Sequence, residues 1–404
     1  MRRKFSVAIA AFALVAECAV AQSFEDRTKA ALGLVLDRKY AAFYALFSPE
    51  MKKAITLETY SAQADQILAL GKPSQEEPRA RAIGDSTLVV IPLHWPALSL
   101  DFLVSWNKDG QIQGTWMRPP EPPAWQAPPY VHAGAFVSSE ITVGSDEWRL
   151  PGTLTVPAGA GPFPAVVLVH GSGPNDRDES VGGAKVFRDL AEGLSSRGIA
   201  VLRYEKRTRA YPAKCAADPD FTMTRETVDD AVRAAEFLRS TDHVDARRIF
   251  VLGHSQGGYM MPRIMRRAPW LAGVIVMAGN VRPLEELIKE QSAYLGISPP
   301  ALSLPPKYLQ DLAGYDPASE AKKLDMPMLI LRGERDYQVT MKDFALWKAA
   351  VGRRSNVTMR SYADLNHLFE AGKGKSTPAE YAQPAHVDAR VLDDMAAWIA
   401  SHAI

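Results

Sequence analysis

The chain has 404 residues, 47% hydrophobic and 23% charged, a globular composition with length for two domains or one large one. Its formal net charge of +1 gives no electrostatic drive toward nucleic acid or an anionic membrane surface, so neither is expected as a partner.

The chain begins with a segment of a different kind. Met1-Arg2-Arg3-Lys4 is basic, residues 5–16 are almost wholly apolar, and Ala19-Val20-Ala21 is an A-x-A cleavage pattern. These three parts predict a signal peptide over 1–21, cleaved after Ala21, and a periplasmic or secreted protein. The apolar core is too short for a span, and no other run approaches the roughly 20 residues a span needs, so no membrane anchor is expected. Cys18 lies inside this leader behind Glu17, which argues against lipidation. Cys215 then remains alone, and no intrachain disulfide is possible.

From residue 23 to about 70 the pattern is helical. Ala30, Leu34, Leu36, Phe43, Leu46 and Phe47 recur near a 3.6-residue period, and a second helix is predicted over 56–70. Residues 87–95 and 99–106 are rich in β-branched and aromatic side chains, and Asn107-Lys108-Asp109-Gly110 is a hairpin turn signal. Helices followed by antiparallel strands predict a small α+β domain over 22–117. Residues 118–130 carry six prolines and predict a stiff, extended linker at the domain boundary.

Residues 131–404 alternate strand and helix. An antiparallel lead-in is predicted over 136–143 and 150–156. The continuous apolar run 164–169 is the mark of a strand covered on both faces. Helices over 184–197 and 225–240 alternate with strands over 199–204, 248–252, 273–278, 327–332 and 357–362. This is an α/β pattern with a doubly wound, mostly parallel sheet, whose chemistry gathers at the carboxyl ends of the strands. The connector 281–323 is long for a link between two sheet strands, and a helix is predicted over 283–294.

Polar clusters follow the apolar strands directly. The first is His170-Gly171-Ser172-Gly173-Pro174. The second is Gly253-His254-Ser255-Gln256-Gly257-Gly258, which sets Ser255 at the centre of G-x-S-x-G between a strand and a helix, the context of a nucleophile elbow. Gly333-Glu334-Arg335-Asp336 follows a later strand, and His367 stands in Leu365-Asn366-His367-Leu368-Phe369 after the last one. Serine, acid and histidine in this order suit a triad in which imidazole activates the hydroxyl and a carboxylate orients the imidazole. Ser255 is assigned as nucleophile, His367 as base then acid, and Asp336 as orienter, with Glu334 the rival acid and His386 and His402 the rival bases. The backbone N–H of Gln256 and of Ser172 are the expected oxyanion donors, with Gly171 as rival for the second. Asp343 is expected to begin a helix, and His170 and His254 to be structural. Arg177 is a candidate substrate clamp, though a salt-bridged loop is the commoner outcome. No His, Cys and acid cluster has metal-site spacing, and no cofactor is expected.

Residues 131–404 resemble an α/β-hydrolase, close to the bacterial esterases and serine aminopeptidase-like hydrolases with an HGSGPxDRDE loop. The likeness is carried by residues 170–179, the GHSxGG elbow and the LNHLF segment. The first domain is similar, more loosely, to a small cystatin-like domain of unknown function that precedes such hydrolases. One stretch departs from the pattern: Tyr204-Glu205-Lys206-Arg207-Thr208 stands where that branch has Y-D-K-R-G, so the glycine is missing. The resemblance implies a serine hydrolase cleaving small or medium esters through an acyl-enzyme. It also implies that residues 281–323 form a short cap insertion over the site, so that Leu287, Tyr294 and Leu295, with Gly171, are candidates to line the acyl pocket; ordinary surface packing is the alternative for the cap residues. A peptidase or amidase with the same triad is the alternative, and a non-catalytic binding protein on this scaffold is a third reading. Trp95, Trp106, Trp116 and Trp125 place aromatic surface in or beside the first domain, and suggest packing on the second domain or a homodimer.

Overall fold

The computed structural model describes residues 22–402 apart from 96–97, 122–123, 145–146 and 301–303; the leader expected over 1–21 lies outside the described residues. The chain divides into two compact units, one ending at Pro120 and the other starting at Glu121.

In the first unit, helices Phe24–Leu36 and Leu57–Leu68 accompany a five-stranded antiparallel sheet. Each is capped by a hydroxyl, Ser23 and Thr56, that accepts a first-turn N–H. Strands Ser86–Trp95 and Leu98–Trp106 pair from Thr87 opposite Trp106 to Trp95 opposite Leu98. The turn after Trp106 is built as its residues require. Asn107 Oδ1 accepts the N–H of Asp109 and Gln111, and Gly110 takes φ +71°. Trp95 and Trp106 are core residues whose indoles donate to Gly71 O and Thr28 Oγ1. Trp116 is about half exposed on the sheet.

The second unit is built on eight strands: β1 (Phe136–Val143), β2 (Leu150–Pro157), β3 (Phe163–Val169), β4 (Ala200–Tyr204), β5 (Val244–His254), β6 (Gly273–Met277), β7 (Met328–Gly333) and β8 (Val357–Tyr362). Their order is β1-β2-β4-β3-β5-β6-β7-β8. The β1–β2 and β2–β4 pairs are antiparallel and all others parallel. The fold is thus the α/β-hydrolase type, with a mostly parallel sheet. Val166, Val167, Val251, Ile275 and Leu329 are fully buried because helices cover both faces, which is why these strands read as unbroken apolar runs. No helix among the described residues is long and apolar enough to cross a membrane.

The second half of the proline-rich stretch belongs to this unit. Trp125 Nε1 donates to Asp189 Oδ1 at 2.8 Å, and the Arg188 guanidinium lies 3.8 Å over the indole. Tyr130 packs at the edge of the core beside Gly193. A chain beginning at Glu121 should therefore melt cooperatively on its own. One beginning at Tyr130 should melt at least about 2 °C lower, the shift expected for about 1 kcal/mol in a unit of this size. Identical thermal melts would show that Trp125 contributes nothing.

Candidate active site

Ser255 sits between the end of β5 and the helical turn Gln256–Tyr259, at φ +49° and ψ −111°. A side chain does not adopt these angles freely, so the turn is held by its surroundings. Ser255 N donates to Met277 O on the neighbouring strand. A Cβ on Gly253 would fall 2.3 Å from Gly257 C, and one on Gly257 would fall 2.3 Å from Val169 O. The flanking glycines are therefore required by close backbone approach, and the serine is pushed up as a consequence. Among the described residues, six non-glycines have positive φ, and Glu179, Ser255, Ala278 and Phe369 of these follow β3, β5, β6 and β8. Backbone strain collects at one end of the sheet.

His367 and Asp336 meet at that end. His367 Nδ1 lies 2.7 Å from Asp336 Oδ2, and both side chains are buried. Asp336 Oδ1 accepts the N–H of Gln338 and Val339, and Oδ2 also accepts from Arg332 at 3.1 Å. Burial alone would raise the Asp336 carboxyl, but the His367 charge and hydrogen bond, with Arg332, hold it below its ordinary value. Burial pushes the His367 imidazole below its ordinary value, and Asp336 only partly offsets this. An ionised acid thus faces a neutral imidazole. Of the rivals, Glu334 accepts from Ser361 instead, His386 pairs with Asp189 and His402 turns back on Trp398.

Arg332 escaped the sequence reading. It is fully buried at the end of β7 and also donates to Val339 O and Gly279 O. The available signal was a charge ending an otherwise apolar strand. Asp343 is in the first turn of helix Met341–Val351, as expected. It is fully buried and accepts the N–H of Val281 and Arg282, anchoring the start of the insertion.

The loop after β3 packs against the elbow: a Cβ on Gly171 would lie 3.3 Å from Ser255 Cβ. Gly171 N donates to Glu179 Oε1 at 2.6 Å, so that N–H is already engaged, which separates Gly171 from Ser172. Glu179 Oε2 lies 2.9 Å from His254 Nδ1. Burial opposes both charges, yet the attraction of each partner outweighs it, holding Glu179 below and His254 above its ordinary value. His254 Nε2 faces His367 O at 3.1 Å, so this pair ties the first loop to the histidine loop. His170 is structural as expected: buried, on Asp176 O, and pushed down to about 4 chiefly by burial.

A cavity of about 580 Å³ opens beside Ser172 and Gln256. Phe221, Met223, Leu284, Leu304 and Tyr308 give it an apolar wall. The expected pocket residues are not those. Arg177 is spent on Glu140, Glu205 and Thr153 Oγ1. Leu287 is buried, and Tyr294 stacks on Tyr337 with its hydroxyl on Ser376 O, so both turn into the body. The wall is shared between the segment 204–226, through Phe221 and Met223, and the insertion itself, through Leu284, Leu304 and Tyr308.

The family model of the prolyl oligopeptidase family matches residues 193–394. Esterase EstD of Thermotoga maritima is 42% identical over 322 residues, covering 74% of this chain and 76% of that protein. Among solved structures, the esterase domain of a Rhodothermus marinus protein is 17% identical at a TM-score of 0.43, covering 65% of this chain and 97% of its own. A Mycobacterium tuberculosis puromycin-hydrolyzing peptidase is 19% identical at 0.47, covering 81% of this chain and 47% of its own. The matched stretch of the family model takes in the elbow serine and the buried acid–histidine pair alike, and the chain belongs to the prolyl oligopeptidase family.

Proposed function

We propose that Ser255, His367 and Asp336 are the catalytic triad of a serine hydrolase that cleaves carboxylic esters. The observation that carries the reading is the buried Asp336–His367 contact of 2.7 Å at the strand ends that hold the strained Ser255 turn. His367 takes the Ser255 hydroxyl proton as Oγ attacks the ester carbonyl carbon. The oxyanion is received by the N–H of Gln256 and Ser172, and Ser172 is preferred because the Gly171 N–H is occupied. His367 then gives its proton to the departing alkoxide, leaving an acyl-enzyme that water hydrolyses by the same steps. The enzyme is of the carboxylesterase type, a class supported by the 42% identity to Esterase EstD. For the N-terminal unit, the half-exposed Trp116 favours an interface role, a homodimer included. A periplasmic or secreted location rests on the pattern of residues 1–21.

The test is a pH profile of para-nitrophenyl acetate hydrolysis beside aminoacyl para-nitroanilides. Esters should turn over faster than anilides. The imidazole must be neutral to accept the serine proton, so kcat/KM falls as His367 protonates at low pH. Burial lowers that pKa, so the acidic limb should have its midpoint below the ordinary histidine value of about 6.5. A midpoint above about 7 would exclude a desolvated His367 as the base.

A further inference from the structure

We propose that Lys206 and Glu226 are positioning residues that set the two oxyanion donors against each other, an inference resting on the acyl-enzyme reading above. The two donors stand on separate loops, Ser172 after β3 and Gln256 after Ser255. A relay of hydrogen bonds crosses from one loop to the other. Lys206 Nζ donates to Gly171 O at 2.7 Å and lies 3.1 Å from Glu226 Oε1. Glu226 Oε2 accepts from the Gln256 side-chain amide at 3.2 Å, and the same amide donates to Thr227 Oγ1 at 3.1 Å. The peptides before Ser172 and at Gln256 are thereby tied through one buried ion pair.

Two further donors complete the carboxylate. Tyr308 in the insertion donates to Oε2 at 2.6 Å, and Thr208 donates to Oε1 at 3.2 Å. Thr208 is the residue that replaces the glycine of the resembling hydrolases, and a glycine offers no such hydroxyl. Lys206 and Glu226 are 2% and 6% exposed. A buried ion pair is weak evidence for stability, because an apolar pair of similar size is often as stable or more so. Position is the stronger account, since an oxyanion donor works only within a few tenths of an ångström of its place, and about 1 Å of misplacement costs roughly 100-fold.

The deciding variant is Lys206→Met/Glu226→Leu, which removes both charges together. The protein should stay folded, with a Tm lowered because Gln256, Tyr308 and Thr208 lose their acceptor, while kcat on para-nitrophenyl acetate, measured well below that Tm, falls roughly 10- to 100-fold with KM nearly unchanged. Affinity for a trifluoromethyl ketone, which places an oxyanion between the donors, should weaken by the same factor as kcat/KM. A folded variant with wild-type kcat, or one losing only Tm, overturns the proposal. If the double variant does not fold, Tyr308→Phe and Thr208→Gly decide: each should lower kcat several-fold in a folded protein, and wild-type kcat in both overturns it. Ser255→Ala separates the parent reading, because ester turnover surviving in that variant refutes the acyl-enzyme itself, whatever the relay does.

Discussion

Ser255→Ala should lower kcat for para-nitrophenyl acetate by roughly 10⁶-fold, the scale seen when a triad nucleophile is removed. The fold should not change. Ser255 N still donates to Met277 O, and alanine meets the same strained angles that serine already occupies. The change removes only the hydroxyl of a half-buried residue, so the Tm should stay within about 1 °C, as for a substitution outside the core. Labelling by a fluorophosphonate should vanish in the same variant. Undiminished turnover would remove Ser255 from the chemistry and with it the mechanism.

The second large effect belongs to the acid–histidine pair. His367→Ala and Ser255→Ala should each cost nearly as much as the double change, because triad members act as one unit. Asp336→Asn should lower kcat by roughly 10⁴-fold, since an amide cannot hold the Nδ1–H tautomer that leaves Nε2 free to accept a proton. In this protein the change also leaves Arg332, fully buried, without its anionic partner. The Tm of Asp336→Asn should therefore drop, which a surface acid would not cause. Glu334→Gln, by contrast, should keep wild-type kcat, because Glu334 lies on Ser361 and away from His367. Additive losses in the Ser255 and His367 double variant, or a large loss at Glu334, would reassign the roles.

What the sequence by itself determined is whatever is local along the chain. The buried strands show as apolar runs because both faces are covered, and the Ser255 turn shows because backbone approach excludes side chains at Gly253 and Gly257. The chemical residue types are legible because each follows directly on such a strand. The tertiary structure decided everything that depends on which groups meet across the fold. Glu334 and Asp336 are two residues apart, and only the path of the histidine loop brings Asp336, not Glu334, to His367. The Glu179–His254 and Lys206–Glu226 pairs were unreadable because a buried charge is tolerable only when paired, and the partners of each come from separate segments. The pocket was misplaced for a related reason. The insertion does reach the cavity, through Leu284, Leu304 and Tyr308, but a place in the insertion does not say which of its side chains face the cavity and which the body. Packing settles the direction: Tyr294 stacks on Tyr337, and Phe221, Met223 and Tyr308 are left to form the wall.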